Sequence, residues 1–419
     1  LYMLPIVIEY LRDHTFRQLE LEHGIDSRPA SDGSKFSLNY DQLTSKKGAP
    51  ISDQCRGLIV RPMAGFILDG TDSWKDRIVG ECVVVARPMD RFYNHGDAYA
   101  TNVDVCDVNS VIFEKLDGTM CIVYWDDVKG LWCVGTRAVC EADLPIRKDD
   151  MQIGDMTFAD LFWEAAVETL FGHIEGDVVD KAINLVAWRR CLEKSKTYVF
   201  ELTSQHNRVV VKYDSPRITL LAVRNTQTGE ENNIEYAGVL NVPLPMRWSF
   251  STVAALEAFV DASDPAKLEG AVACNMGYVP YARMKVKSKA WCLSSRAKDL
   301  VTVSRRSALA AIILDQMDDV IPLVDADTAA KLEAMIDATR DFFVNIDAVY
   351  ADCRHQAGND KKSFAILATD SGAWTTPLFR MFHENETSSR KWAQRALDSG
   401  RLTSSGLETI LSRLDVKPQ

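Results

Sequence analysis

Glu114-Lys115-Leu116-Asp117-Gly118-Thr119-Met120 is the stretch on which the reading of this chain turns. The apolar run Val111-Ile112-Phe113 precedes it, and Cys121-Ile122-Val123-Tyr124-Trp125 follows. Two β-prone runs joined across Asp-Gly predict a hairpin, with Lys115 at the end of its first strand beside a tight turn. A lysine fixed there, partly buried and close to other cations or a metal, can give up its proton and act as a nucleophile. On local grounds alone an ordinary hairpin turn is the better account of Lys-x-Asp-Gly. The surrounding chain decides between the two.

Upstream, residues 3 to 21 carry apolar positions at helical spacing and predict a leading helix. Phe36-Ser37-Leu38-Asn39-Tyr40 alternates as a short strand, and Cys55-Arg56-Gly57-Leu58-Ile59-Val60 is a strand that opens on an arginine. Ala86 to Asn94 places Arg87 and Arg91 beside the adjacent rings Phe92 and Tyr93, a mixture able to stack a base and hold its phosphates. Neighbouring strand residues point to opposite faces, so one of the two rings packs inward while the other faces the cleft.

Downstream, Leu131 to Arg137 is a third strand ending in a cation, and residues 157 to 193 are helical. In Thr197-Tyr198-Val199-Phe200-Glu201-Leu202 a single carboxylate interrupts an apolar strand, and its desolvation calls for a partner or a ligand. Ile218 to Val223 is another strand, and Val253 to Val260 a short helix. Glu269-Gly270-Ala271-Val272-Ala273 is followed, after a turn at Gly277, by Ala282-Arg283-Met284-Lys285-Val286-Lys287. Lys285 and Lys287 lie two apart on a strand, hence on one face, and an anion such as phosphate would relieve their mutual repulsion. From about Ser295 onward the pattern is helical, with segments at 307 to 314, 329 to 350, 363 to 383 and 388 to 413. The expected division is therefore 1–294 for a mixed domain and 295–419 for an all-helical one.

Composition places limits on function. The 419 residues are 47% hydrophobic and 26% charged with a formal net charge of −11, an ordinary globular balance that excludes a protein coating nucleic acid indiscriminately. The ten cysteines form no Cys-x-x-Cys pair and read as reduced core residues rather than zinc ligands. No run of 18 apolar residues occurs, and the first residues lack the pattern of a signal peptide. The expectation is a cytoplasmic protein with no membrane partner, monomeric, and in host cytoplasm if phage-encoded.

The order Arg56-Gly57, Lys115-x-Asp117-Gly118, Glu201, Glu269-Gly270, Lys285-x-Lys287 resembles the motif ladder of covalent nucleotidyltransferases. Further strings are similar to the bacteriophage RNA ligase 1 family: Arg87-Pro88-Met89-Asp90-Arg91-Phe92-Tyr93-Asn94, Asn207-Arg208, Leu220-Leu221-Ala222-Val223-Arg224 and, in the tail, Asp360 to Ala365. The resemblance implies an α+β fold, in which a nucleotidyltransferase domain of antiparallel sheets and flanking helices precedes an all-α RNA-specificity domain. It implies ATP as AMP donor, Mg²⁺ with Mn²⁺ as a substitute, and single-stranded RNA with 5′-phosphate and 3′-hydroxyl ends, including cleaved tRNA. Lys115 would be the nucleophile, and Lys285 and Lys287 would touch the α-phosphate. Arg56 and Arg91 would hold the nucleotide and its phosphates, while Glu201 would accept from the ribose hydroxyls. Tyr93 or Phe92 would pack on adenine, and Asp117 and Gly118 would shape the turn. Glu269 would help hold the metal, and Asp318 lies where the family has a metal-associated aspartate. The chain departs from the family at Arg137, where lysine is usual, and at Arg91, also commonly lysine. An early-loop aromatic matches at Tyr40, with Leu38 as the alternative.

Three other readings compete. A DNA ligase or an mRNA capping guanylyltransferase shares the ladder, but both carry an OB-fold after the paired lysines, where this chain turns helical. A catalytically retired RNA-binding module would have no use for a buried lysine nucleophile. No Gly-x-x-x-x-Gly-Lys loop is present, so a fused end-healing kinase is not expected.

Overall fold

In the computed structural model, residues 4–41, 45–63, 72–148, 151–172, 178–207, 210–232, 236–302, 305–314, 317, 321, 326–372, 374–399 and 401–414 are described. Three antiparallel layers frame the first part. A four-stranded sheet runs Ile25–Pro29, Phe36–Tyr40, Arg56–Pro62, Cys82–Ala86. A second has the order Arg217–Asn225, Lys196–Thr203, Thr119–Asp126, Leu131–Thr136. A five-stranded sheet has the order Arg247–Trp248, Ser110–Lys115, Gly270–Asn275, Ala282–Lys287, Tyr93–Asn94. Only its last pairing, Tyr93–Asn94 with Met284 and Lys285, is parallel among the described strands.

Strand alternation separates core from site. In Ala282–Lys287, Met284 and Val286 are buried against Leu256 and Val260 of the helix Val253–Ala262, whose N-cap Thr252 accepts from the Ala255 amide. Each such side chain contributes roughly 2 kcal/mol of burial, and this face fixes the opposite one, which carries Arg283, Lys285 and Lys287. Thr119–Asp126 is buried on both faces. Cys121 and Val123 meet Leu161, Phe162 and Ala165 of the helix Phe158–Phe171, whereas Met120, Ile122 and Tyr124 pack with Ile59 and Ala86.

The single leading helix expected from periodicity is two, Ile6–Tyr10 and Phe16–His23. Thr15 and Gln18 form a reciprocal capping box that starts the second. Residues 157 to 193 likewise divide into Phe158–Phe171 and Val178–Arg189.

The chain divides into two compact units, Leu1–Trp291 and Cys292–Gln419. The described residues of the second are helical, with the 32-residue Ala326–Ala357 the longest element. Phe343, Ile346, Tyr350, Phe364, Trp374, Met381 and Trp392 form its core. The two helical segments expected at 363 to 383 and 388 to 413 are four, Lys361–Asp370, Thr375–Glu384, Ser389–Asp398 and Ser404–Leu414. Asn385, in a left-handed conformation, ends the second of these. No described helix is long and apolar enough to cross a membrane.

Candidate active site

The two runs flanking Asp117-Gly118 do not pair with each other. Ser110–Lys115 belongs to the five-stranded sheet and Thr119–Asp126 to a four-stranded one, so the chain crosses between sheets immediately after Lys115. The hairpin expectation is thereby corrected, and the side chain of Asp117 gives the reason. Its Oδ2 accepts from the amides of Val210 and Val211, both at 2.7 Å, and from the Trp291 indole at 3.2 Å. Its own amide donates to the Tyr213 hydroxyl at 3.1 Å. Asp117 thus braces a crossing instead of closing a β-turn, and burial raises its carboxyl above the ordinary value. Gly118 is required by proximity: a Cβ there would lie 2.3 Å from the Leu202 carbonyl oxygen.

The ladder places the lysines. Gly270 is the register partner of both Lys115 and Lys287, and Val272 that of Lys285. Glu269, one residue before the ladder, therefore lies between two ammonium groups, with Lys115 Nζ 2.8 Å from Oε2 and Lys287 Nζ 2.8 Å from Oε1. Glu269 is only 3% exposed, whereas the two lysines keep about a quarter of their side chains open to water. Lys287 also lies over the Trp291 ring, 4.4 Å from its centroid.

Among the described residues Lys285 has no such ion pair. Burial, then the charges of Arg56, Lys115 and Lys287, push its ammonium down to about 7, against the pull of Glu269. Glu201 mirrors it. Burial pushes its carboxyl up to about 7, opposed by Lys115 and Arg56 and by a hydrogen bond from the Gly118 amide at 3.1 Å. Lys285 and Glu201 thus sit in a cluster of four cations and two carboxylates, with Lys115, Lys287, Arg56 and Glu269.

Arg56 carries the clearest sign of a missing partner. Its Nη1 is buried and has no hydrogen-bond acceptor among the described residues, and burial holds its guanidinium below the ordinary value. Phe92 lies 5.2 Å from Arg56 Cζ and 5.2 Å from Lys285 Nζ, so Phe92 is the ring that faces the cluster. Tyr93 turns away. Its hydroxyl donates to Asp53 and accepts from the Gly48 amide at 2.7 Å, while its ring meets Arg91 at 5.1 Å. Tyr40 receives Arg91 at 3.9 Å and Arg137 at 5.6 Å. The structure thus gathers Lys115, Glu201, Glu269, Lys285, Lys287 and Arg56 in one cluster, and Tyr40, Arg91, Tyr93 and Arg137 in an adjoining one. Asp318 lies outside the described residues.

A slot opens from Phe92 between the two sheets, lined by Phe113 and Val272 on one side and Leu220 to Val223 on the other. Arg283, which forks onto Glu231, also lines it.

Sequence reasoning missed three structural supports. Arg224, 2% exposed, donates to the carbonyls of Gly229 at 2.6 Å and Pro88 at 2.8 Å and to Asp90 at 2.7 Å, which fixes the segment leading to Phe92. Its signals were a charged residue ending an apolar strand and its place in the family-like string Leu220 to Arg224. Trp291, four residues beyond Lys287, gave none. Lys35, fully buried, pairs with Asp126 and with Glu141 at 2.6 Å. Asp126 and Glu141, with Cys133, are the one set of potential metal ligands that the described residues bring together, and Lys35 already supplies a cation there. In the second unit, Arg390 donates to the Ile312 carbonyl at 3.2 Å, Arg395 pairs with Glu386 at 2.6 Å and Arg401 with Glu384 at 2.8 Å. Each of these arginines is therefore held by a partner within that unit.

A lysine at a crossing between antiparallel sheets, facing Glu-Gly and Lys-x-Lys, is the arrangement that the motif ladder of covalent nucleotidyltransferases predicts. The RNA ligase family model of the T4 RNA ligase 1 type matches residues 54–274, more than half of the chain, and the chain belongs to this family. It is 25% identical to an RNA ligase of Rhodothermus phage RM378 over 376 residues, 75% of this chain and 78% of that protein. It is 28% identical over 205 residues to a protein of Autographa californica nuclear polyhedrosis virus named as a bifunctional polynucleotide kinase/RNA ligase. That match takes in 46% of this chain and only 24% of the viral protein. Among solved structures, an archaeal ATP-dependent RNA ligase superposes with a TM-score of 0.39 at 11% identity, covering 80% of this chain and 79% of that one. A Naegleria gruberi RNA ligase mutant with ATP and Mn gives a TM-score of 0.31 at 15% identity, over 43% and 49%.

Proposed function

We propose that this chain is an ATP-dependent RNA ligase that joins a 5′-phosphate to a 3′-hydroxyl through a lysine-bound AMP. The observation that carries the reading is the convergence of Lys115, Lys285, Lys287 and Arg56, whose Nη1 has no acceptor among the described residues, around Glu269 and Glu201. Lys115 Nζ, freed from Glu269 and deprotonated, attacks the α-phosphorus of ATP. A nitrogen–phosphorus bond forms, the bond to the pyrophosphate oxygen breaks, and the ammonium proton is lost to solvent. Lys285, Lys287 and Arg56 hold the charge that builds on the phosphate oxygens. The AMP then passes to the RNA 5′-phosphate, and the 3′-hydroxyl displaces it as the ends join.

The slot beyond Phe92 suits a purine, with flat apolar walls at Phe113 and Val272 and polar groups in its lining. Arg91 and Arg137, stacked on Tyr40, would take the outer phosphates, and Glu201 the ribose. The chemistry of the donors fits a divalent cation at Glu269, a hard oxygen ligand among phosphates, once the two lysines turn to the nucleotide. Such an ion supplies charge neutralisation at the transferring phosphate. Repair of broken tRNA is the role proposed from the family resemblance.

The test is incubation of the pure protein with α-labelled ATP and Mg²⁺, for wild type and Lys115→Ala. Acid-labile label on wild type, absent from the variant and discharged by 5′-phosphorylated RNA, is the expected result. Absence of label with ATP, once bound AMP is excluded by mass, overturns the reading.

A further inference from the structure

Five side chains succeed one another from the outer-phosphate cluster to the surface. Arg137 lies 5.6 Å from the Tyr40 ring, Arg91 lies 3.9 Å from that ring and 5.1 Å from Tyr93, and the Tyr93 and Tyr99 rings are 6.0 Å apart. Tyr40 and Tyr93 are buried, but Tyr99 is 52% exposed. This last ring is held in place from beneath. Gly48 has a φ of +75°, and a Cβ there would lie 2.4 Å from Tyr99 Cδ1, so the ring rests on bare backbone. The Gly48 amide is in turn fixed by the Tyr93 hydroxyl at 2.7 Å.

The residues before Gly48 are Lys46 and Lys47, both exposed and in no ion pair among the described residues. Asp97, the acid closest to Tyr99 in sequence, is turned to Asn94, from whose amide and side chain it accepts. A supported, half-open ring beside two free ammonium groups is the arrangement that binds a single nucleic-acid strand, with a base on the ring and phosphates on the cations. On a chain of net charge −11, such a local reversal of sign favours a polyanion over an acidic-surface protein partner.

We infer that Tyr99, with Lys46 and Lys47, is a docking platform for the RNA strand being joined, one base stacking on Tyr99 and its neighbouring phosphates lying on the lysines. This rests on the RNA ligase reading, and places RNA where the line of rings and guanidinium groups leaves the nucleotide site. The platform takes no part in the attack of Lys115, so it bears on the RNA steps alone.

The test uses the full chain as wild type, Tyr99→Leu, Tyr99→Phe and the double variant Lys46→Ser, Lys47→Ser. Three readouts are compared: lysine labelling from α-labelled ATP, affinity for a fluorescent single-stranded RNA with a 5′-hydroxyl, and joining of 5′-adenylylated RNA. Tyr99→Leu and the double variant are expected to lose about tenfold in RNA affinity and in joining, with labelling within about twofold of wild type and with Tyr99→Phe retaining both. RNA affinity equal to wild type in Tyr99→Leu overturns the inference. So does a parallel fall in labelling, which would mark Tyr99 as a mere support for the Gly48 loop. Wild type that neither labels nor joins would strike the ligase reading instead, while the affinity readout still decides the platform.

Discussion

Lys115 and Glu269 face each other at 2.8 Å, and the second oxygen of the same carboxylate is held by Lys287. Lys115, the proposed nucleophile, thereby shares one counter-ion with Lys287.

Replacing that counter-ion by an isosteric amide, Glu269→Gln, leaves two neighbouring ammonium groups without charge compensation. Charge-assisted bonds of this kind contribute about 2 kcal/mol. Lysine labelling is expected to fall by at least about thirtyfold. A Glu269→Gln variant labelled at the wild-type rate would remove Glu269 from the reaction.

Lys285 gives a pH signature. Its folded value, about 7, lies below the 10.5 of an ordinary lysine, so between them the unfolded chain holds the extra proton and stability rises with pH. A bound phosphate reverses the balance and draws a proton onto Lys285. Glu201, raised to about 7, acts with the opposite sign if the ribose hydroxyls meet its ionised form. At pH near 7.5, calorimetry in buffers of different ionisation enthalpy should show more proton uptake on ATP binding for wild type than for Lys285→Met. Equal uptake in the two would refute this assignment.

Arg56 trades stability for binding. Its buried Nη1 lacks an acceptor among the described residues, so Arg56→Met should stabilise the nucleotide-free protein by about 1 kcal/mol, a rise of roughly 2–4 °C in Tm. The same variant should lose lysine labelling by an order of magnitude or more. A lowered Tm would mean that Arg56 already has what it needs in the free protein.

Arg224 should behave in the reverse way. Removing it orphans the carbonyls of Pro88 and Gly229 and unpairs Asp90, so Arg224→Met is expected to cost about 3 kcal/mol in chemical denaturation. Labelling would fall only as far as the Phe92 segment loosens.

What could be read in advance was whatever strand periodicity and local spacing determine. The shared face of Lys285 and Lys287, the helix Val253–Ala262 and the half-buried carboxylate Glu201 in an apolar strand all follow from patterns of a few residues. What escaped depends on contacts distant in sequence. Asp-Gly between two β-prone runs is locally a hairpin, and only the amides of Val210 and Val211, about ninety residues on, turn it into a crossing. The choice between Phe92 and Tyr93 was likewise open until Asp53 and Gly48 claimed the tyrosine hydroxyl. Trp291 could not be seen at all, because it belongs to no motif, and Arg224 stood in a family-like string without its role, because Pro88 and Asp90 lie far off in sequence.

The crossing at Leu116 to Gly118 also leaves the chain no slack at its reactive point. A single inserted residue there would reverse the parity of Thr119–Asp126 and send Tyr124 into the core that now takes Val123. Drift in length, harmless at the Gly130 turn, is closed off here, so the number of residues between the nucleophile and the next strand is as binding a specification as the lysine itself.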